Sequence, residues 1–250
     1  MSVNYNTSIV TNGLITCLDA GNPKSYPGSG TTWYDLSGNN NHATIHNLTY
    51  TSTYKGSFNF SNDTSSYVTL SSNINYDSLA AVQNLTVMFG IQKLYYGLYG
   101  NNFGDSEILL GALTGYTYGW RIIEGSTGTP GTAFTGTHHL TFSSPDLFLS
   151  NYSSSNNLTI TDSASTNRPV ICGFSQARNN VSGMINNNFY STSGFVAYLG
   201  TGTSVGAISD TSEGVGAFGG LMTFFYIYNR ALTNDELTQN YNAMRGRHGV

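Results

Sequence analysis

The chain has 250 residues, a formal net charge of −4 and a charged fraction of 9%, well below the roughly 25% of an average globular domain. An acidic balance without a basic patch excludes nucleic-acid binding through phosphates, and no run of about 18 apolar residues exists to span a membrane. The 18 Tyr, 13 Phe and 2 Trp supply a core, so the low charge means a surface built from Asn, Ser, Thr, Gly and Tyr rather than disorder.

The opening segment, MSVNYNTSIVTNG, has no cationic region followed by an apolar stretch, so no secretory signal is expected. Leu14, Ile15 and Leu18 predict an early strand. The stretch from Leu18 to Ile45, LDAGNPKSYPGSGTTWYDLSGNNNHATI, is rich in residues that stop regular structure and reads as a long crossing loop. Within it, Trp33, Tyr34 and Leu36 are expected to anchor on the body of the domain. Asp35 with Ser37-Gly38 is expected to turn the chain into a strand at Ala43–Ile45.

Further along, SYVTLS places Val68 and Leu70 on one face of a strand. In NLTVMFGIQ, Leu85, Val87, Phe89 and Ile91 alternate with Thr86, Met88, Gly90 and Gln92, the period-two signature of a sheet. RPVICGFSQ repeats it with Val170, Cys172 and Phe174. GLMTFFYIYN is apolar on both faces, Leu221, Phe225 and Ile227 against Met222, Phe224 and Tyr226, as befits a central strand between packed layers. Cys17 and Cys172 lie in apolar strand contexts and are expected to be buried free thiols.

One helix is expected, and it comes last. In NRALTNDELTQNYNAMRGRHGV, Thr233 and Glu236 make a capping box, with Leu232 and Leu237 at the staple positions. Leu237, Tyr241 and Met244 follow as one apolar stripe; Arg245 suits the negative end of the dipole and Gly246 is the expected stop. Many short strands, frequent turn clusters and no linker define a single all-β domain over residues 1–250, a sandwich or barrel.

Three segments carry a resemblance: GLITCLDAGNPKSYPGSGTTWYDLSGNNNHATI, GSFNFSNDTSSYVTL and FFYIYNRALTNDELTQNYNAMRGRHGV. In this order they resemble the concanavalin A-like, laminin-G-like sandwich domain of tailed-phage structural proteins, especially marine and cyanobacterial ones. In the middle segment Ser61 and Asn62 replace the family's usual Asp-Gly. The resemblance implies an antiparallel two-sheet jelly roll with one C-terminal helix and a place on the virion. The expected function is that of a non-enzymatic capsid decoration (cement) or tail-associated protein, working through contacts with other virion proteins and a further copy of itself. A carbohydrate-binding adhesin or tail-fibre module, with host surface glycan as partner, is the second reading, and a glycosidase the third.

Each reading has candidate residues. Aromatic faces stack on sugar rings while amides and carboxylates take hydroxyl groups, so Tyr95, Tyr96, Tyr99, Asn101, Phe103 and Asp105 form a candidate glycan or partner surface. Tyr116, Tyr118 and Trp120 alternate and would share a strand face, with core packing as their plainer role. A retaining glycosidase needs two carboxyl groups about 5–5.5 Å apart; Asp105 and Glu107 are the nearest approach, without a third acidic residue to complete a ladder. No cofactor is expected beyond a structural calcium of the sort laminin-G-like domains hold at a loop rim. Asn62 with Asp63, or Asp35 with Asn39 and Asn40, are its candidate ligands, and all of these are also ordinary turn residues. His138-His139 lacks partners at zinc-ligand spacing.

Overall fold

The computed structural model describes residues 8–61, 63, 65–74, 84–95, 107–111, 121–125, 138–143, 157–162, 168–193, 207–208 and 218–250. The strands are β1 (Leu14–Asp19), β2 (Thr32–Trp33), β3 (Ala43–His46), β4 (Thr49–Thr51), β5 (Ser57–Ser61), β6 (Tyr67–Thr69), β7 (Asn84–Lys93) and β8 (Glu107–Gly111). They continue as β9 (Arg121–Gly125), β10 (His138–Ser143), β11 (Asn157–Asp162), β12 (Val170–Ala177), β13 (Asn180–Ile185), β14 (Asn188–Ser193), β15 (Ala207–Ile208) and β16 (Gly219–Tyr228). Among the described residues one α-helix, α1 (Asn234–His248), is present, at the C-terminal end.

Two antiparallel sheets result. The first runs β14-β13-β12-β7-β16-β5-β4, with β1 also on β16; the second runs β11-β10-β9-β8-β15-β6-β3-β2. The long strand β16 is shared: its start pairs with β5, and Phe224 to Tyr228 pair with β1. Gly56, at φ +141°, lets the entrance to β5 pass the end of β1, because a Cβ there would sit 2.4 Å from the Ala20 carbonyl oxygen. The protein is therefore the all-β sandwich with a C-terminal helix that its sequence predicts.

Two apolar layers hold it. Between the sheets lie Leu18, Trp33, Phe58, Phe60, Val68, Leu70, Phe89, Ile91, Cys172, Phe174, Phe225 and Ile227. Phe58 makes T-shaped contacts with Trp33 (4.8 Å between centroids, 72°) and Tyr26 (4.7 Å, 73°), geometry that aromatic quadrupoles favour. On the outer face of the first sheet, α1 covers Met88, Ile171, Met184, Phe224, Tyr226 and Tyr228 with Leu237, Tyr241 and Met244. Both cysteines are buried and free; burial first, then the charges of Asp19 and Asp35, pushes the Cys17 thiol up to about 12.

Two expectations need correcting. In β16 a register shift between Met222 and Phe224 breaks strict alternation, so Met222, not Leu221, joins Phe225 and Ile227 in the layer between the sheets. The helix does not stop at Gly246. It runs two residues further and ends on Gly249, left-handed at φ +73°, whose N–H donates to Arg245 O. A mid-helix glycine costs only about 1 kcal/mol, and the last turn has its own anchors. Arg247 forms an ion pair with Asp19 at the end of β1, and its other terminal nitrogen donates to Thr223 O at 3.2 Å.

His248 completes that anchor. Its Nδ1 donates to Met244 O at 3.0 Å, which leaves Nε2 as an acceptor 2.6 Å from Thr223 Oγ1. The ring stacks on Tyr54 at 5.7 Å and meets Phe224 edge-on at 5.8 Å. Burial pushes the imidazole down to about 4, the nearby Arg247 charge adding to it against the Met244 hydrogen bond. At the other helix end the capping box is present as expected, and Glu236 also holds Arg230 at 2.5 Å.

Candidate functional site

The long loop after β1 is organised by one buried carboxylate. Asp35 Oδ1 accepts from the N–H of Cys17 (2.7 Å) and of Ser37 (2.9 Å). Its Oδ2 accepts from Ser37 Oγ (2.6 Å) and the Asn41 N–H (3.0 Å). Around it, Leu36 N–H donates to Cys17 O at 2.8 Å, Asn41 Nδ2 to Ile15 O at 2.7 Å, and Asn39 Nδ2 to Leu14 O at 3.1 Å. Farther along, Ser25 Oγ accepts from the Asp19 N–H at 3.0 Å. Together these bonds close the side of β1 that β16 leaves free. Asp35 is thus a hydrogen-bond hub whose lone pairs face donors, which is the turn chemistry and not a calcium ligand set.

The loop also departs from expectation in what it buries. Trp33 is fully buried, but Tyr34 and Leu36 are 42% and 36% exposed. The segment is extended, so alternate side chains point inward, and the inward ones are Trp33 and Asp35. Tyr34 instead meets His42 edge-on at 5.3 Å on the surface. Sequence reasoning missed this exposed pair because the buried partner in the alternation is acidic.

Asp63 sits in a turn of its own. Its Oδ1 accepts from both the N–H and the hydroxyl of Ser65, each at 2.8 Å. Burial acts to raise its carboxyl, and the hydrogen bonds of Ser65 and Ser66 outweigh it, holding the group below its ordinary value. Asn62, its proposed co-ligand, lies outside the described residues. Among the described residues no three His, Cys, Asp or Glu side chains come together as a metal site.

Of the candidate aromatic surface, Tyr95 is described and is 41% exposed. It follows β7 directly, and both Leu94 and Tyr95 donate their N–H to Gly219 O at the start of β16 (2.9 and 3.1 Å). The base of the predicted surface is therefore fixed to the central strand. Tyr96, Tyr99, Asn101, Phe103 and Asp105 lie outside the described residues, as do Tyr116, Tyr118 and Trp120. Glu107 begins β8, where its ladder partner is Glu124 on β9; His138 begins β10. Tyr95 hangs on Gly219 at the start of β16, whereas Tyr34 adjoins Asp35, which accepts from Cys17 opposite Tyr226 near the strand's other end.

A third feature was not expected. Asn180, Val181, Ser182, Ser191, Thr192 and Ser193 line a shallow groove of about 510 Å³ at the β13–β14 edge. Among the described residues its lining is hydroxyl- and amide-rich and carries no ionisable group.

No family model matches the sequence, and no curated protein matches it. Solved structures do match in fold. The binding domain of Paraclostridial Mosquitocidal Protein 1 aligns with a TM-score of 0.64 at 15% identity, covering 93% of this chain and 52% of that one. The binding domain of botulinum neurotoxin DC, in complex with SialylT, gives 0.61 at 15% identity, covering 94% and 52%. Domain 4 of AbnA, an extracellular arabinanase of Geobacillus stearothermophilus, in complex with arabinotriose, gives 0.56 at 14% identity, covering 92% and 98%. The chain spans about half the length of the toxin binding domains it resembles and nearly all of the arabinanase domain.

Proposed function

We propose that this domain is a non-catalytic binding module that recognises host-surface glycan. The observation that carries the reading is the shared sandwich over 92–94% of the chain with a toxin binding domain in complex with SialylT and an arabinanase domain in complex with arabinotriose. The charge-poor surface supports it, since hydroxyls, amides and tyrosines match the chemistry of sugars. Tyr95 marks the binding surface, with Tyr96, Tyr99, Asn101, Phe103 and Asp105 of the same sequence run as its expected partners. The three phage-like segments suggest the setting: a virion, with the module on a tail fibre or decorating the head beside other virion proteins.

Glycan-array screening of the purified protein, followed by titration calorimetry, tests this. Tyr95→Ala, Tyr96→Ala and Tyr99→Ala are each expected to weaken the best glycan at least about tenfold, the loss of one stacked ring. Binding unchanged in all three moves the site elsewhere, and an array without any binder removes the reading. No release of reducing sugar is expected from a bound glycan. Turnover that Glu107→Gln abolishes would show the module to be an enzyme.

A further inference from the structure

The free edge of β14 carries backbone groups that nothing among the described residues uses. Asn186 and Asn187, at φ +46° and +65°, make the two-residue turn between β13 and β14. In such a hairpin the flanking residues, here Ile185 and Asn188, exchange both ladder hydrogen bonds, and every second pair does the same. Asn188, Tyr190 and Thr192 therefore spend their backbone groups on Ile185, Gly183 and Val181, their register partners. The N–H and C=O groups of Phe189, Ser191 and Ser193 point the other way, out of the sheet.

Exposed edges are ordinarily blunted by charge, proline, a bulge or brevity. The opposite ends of the two sheets use brevity, with three residues in β4 and two in β2. β14 is six residues long, NFYSTS, with no charge, no proline and unbroken register to β13. Ser191 and Ser193 are exposed along it.

We propose that β14 pairs antiparallel with β14 of a second copy of this chain, about a two-fold axis normal to the sheet. Two constraints, together with the longest overlap that β14 allows, fix the register. Matching faces requires partners of the same parity, and hydrogen bonding requires outward-pointing residues opposite one another. Ser191 opposite its own counterpart, with Phe189 opposite Ser193, satisfies both. The pairing prolongs a row of hydroxyls already in register across four strands, Thr86, Ser175, Ser182 and Ser191. A second copy fits better than a charged peptide because the row is uncharged and self-complementary, and the isologous contact closes on itself.

Light scattering on the purified chain at about 100 µM should return the mass of two chains. Ser191→Pro deletes an outward N–H and leaves the bonds to β13 intact, so it should give one-chain mass with unchanged circular dichroism. Ser191→Lys should also separate the copies, by opposing like charges at the axis. Mixing it with Ser191→Glu should restore a two-chain species containing one of each, because residue 191 faces its counterpart. One-chain mass for the unaltered protein, two-chain mass surviving in Ser191→Pro, or no mixed species from the charge pair would each overturn the proposal. All three readouts are independent of any glycan.

Discussion

The first sheet ends differently on its two sides. At β1, the free backbone groups are taken up by a loop: Cys17 by Asp35 and Leu36, Ile15 by Asn41, Leu14 by Asn39, Asp19 by Ser25. At β14, the corresponding groups of Phe189, Ser191 and Ser193 have no partner among the described residues. The same physics, an unpaired row of N–H and C=O groups, is met by a built-in cover on one side and, among the described residues, by nothing on the other. A sequence rich in Asn, Ser and Thr can do either. What separates the two is a single buried acidic residue that collects the loop, and among the described residues β14 has no equivalent of Asp35.

The largest expected effect comes from removing that residue. Asp35→Ala leaves the N–H groups of Cys17, Ser37 and Asn41 and the Ser37 hydroxyl without their acceptor, and should cost about 3–5 kcal/mol in urea unfolding. A cost under about 1 kcal/mol would mean that the loop is not what closes β1.

Acid should weaken the closed side next. His248 is depressed to about 4 in the fold, against about 6.5 when unfolded. Between those values the unfolded chain binds the extra proton, so stability is complete above about pH 6.5 and falls as pH drops toward 4. The loss should amount to about 2–3 kcal/mol, measured as a pH series of unfolding midpoints, and His248→Gln should flatten it. A series as steep in the variant as in the parent would assign the slope to other groups.

Smaller effects sharpen the contrast. Asn39→Ala removes an exposed tether to Leu14 O and should cost about 0.5–1 kcal/mol. At a dilution where the parent has one-chain mass, Ser193→Lys on β14 should leave unfolding within about 0.5 kcal/mol of the parent, since that side chain has no hydrogen bond among the described residues. If the two substitutions were reversed in size, the distinction between the edges would fail.

Much of this architecture could be read from the residues. Period-two alternation placed β7 and β12, a run apolar on both faces placed β16, and Thr233 with Glu236 marked the helix start, because these signals depend on neighbours in sequence. The failures have a common cause in distant contacts. Tyr34 and Leu36 look like anchors until the strand-like path of the loop turns them outward with Asp35 inward. Gly246 looks like a stop until Arg247 and His248 find Asp19 and Thr223 across the domain. The bulge in β16 has no local mark at all. Of the candidate surface, Tyr95 is the member described and it is exposed, while the rest of its run lies outside the described residues. The place of β14 at the end of the described strand order was not legible, since an edge strand looks like a central one until the topology is known.

The Asp35 hub also bears on how the chain is made. Val10 meets Tyr228 across 218 positions and Asp19 meets Arg247 across 228. At about 5–20 residues per second, β1 therefore waits roughly 10–40 s on the ribosome for its partner β16. Its contact with Asp35 spans only 18 positions, a loop closed at little entropic cost. One side of the first strand can thus be occupied long before the other has anything to pair with, which halves the sticky backbone a nascent chain exposes during its slowest interval.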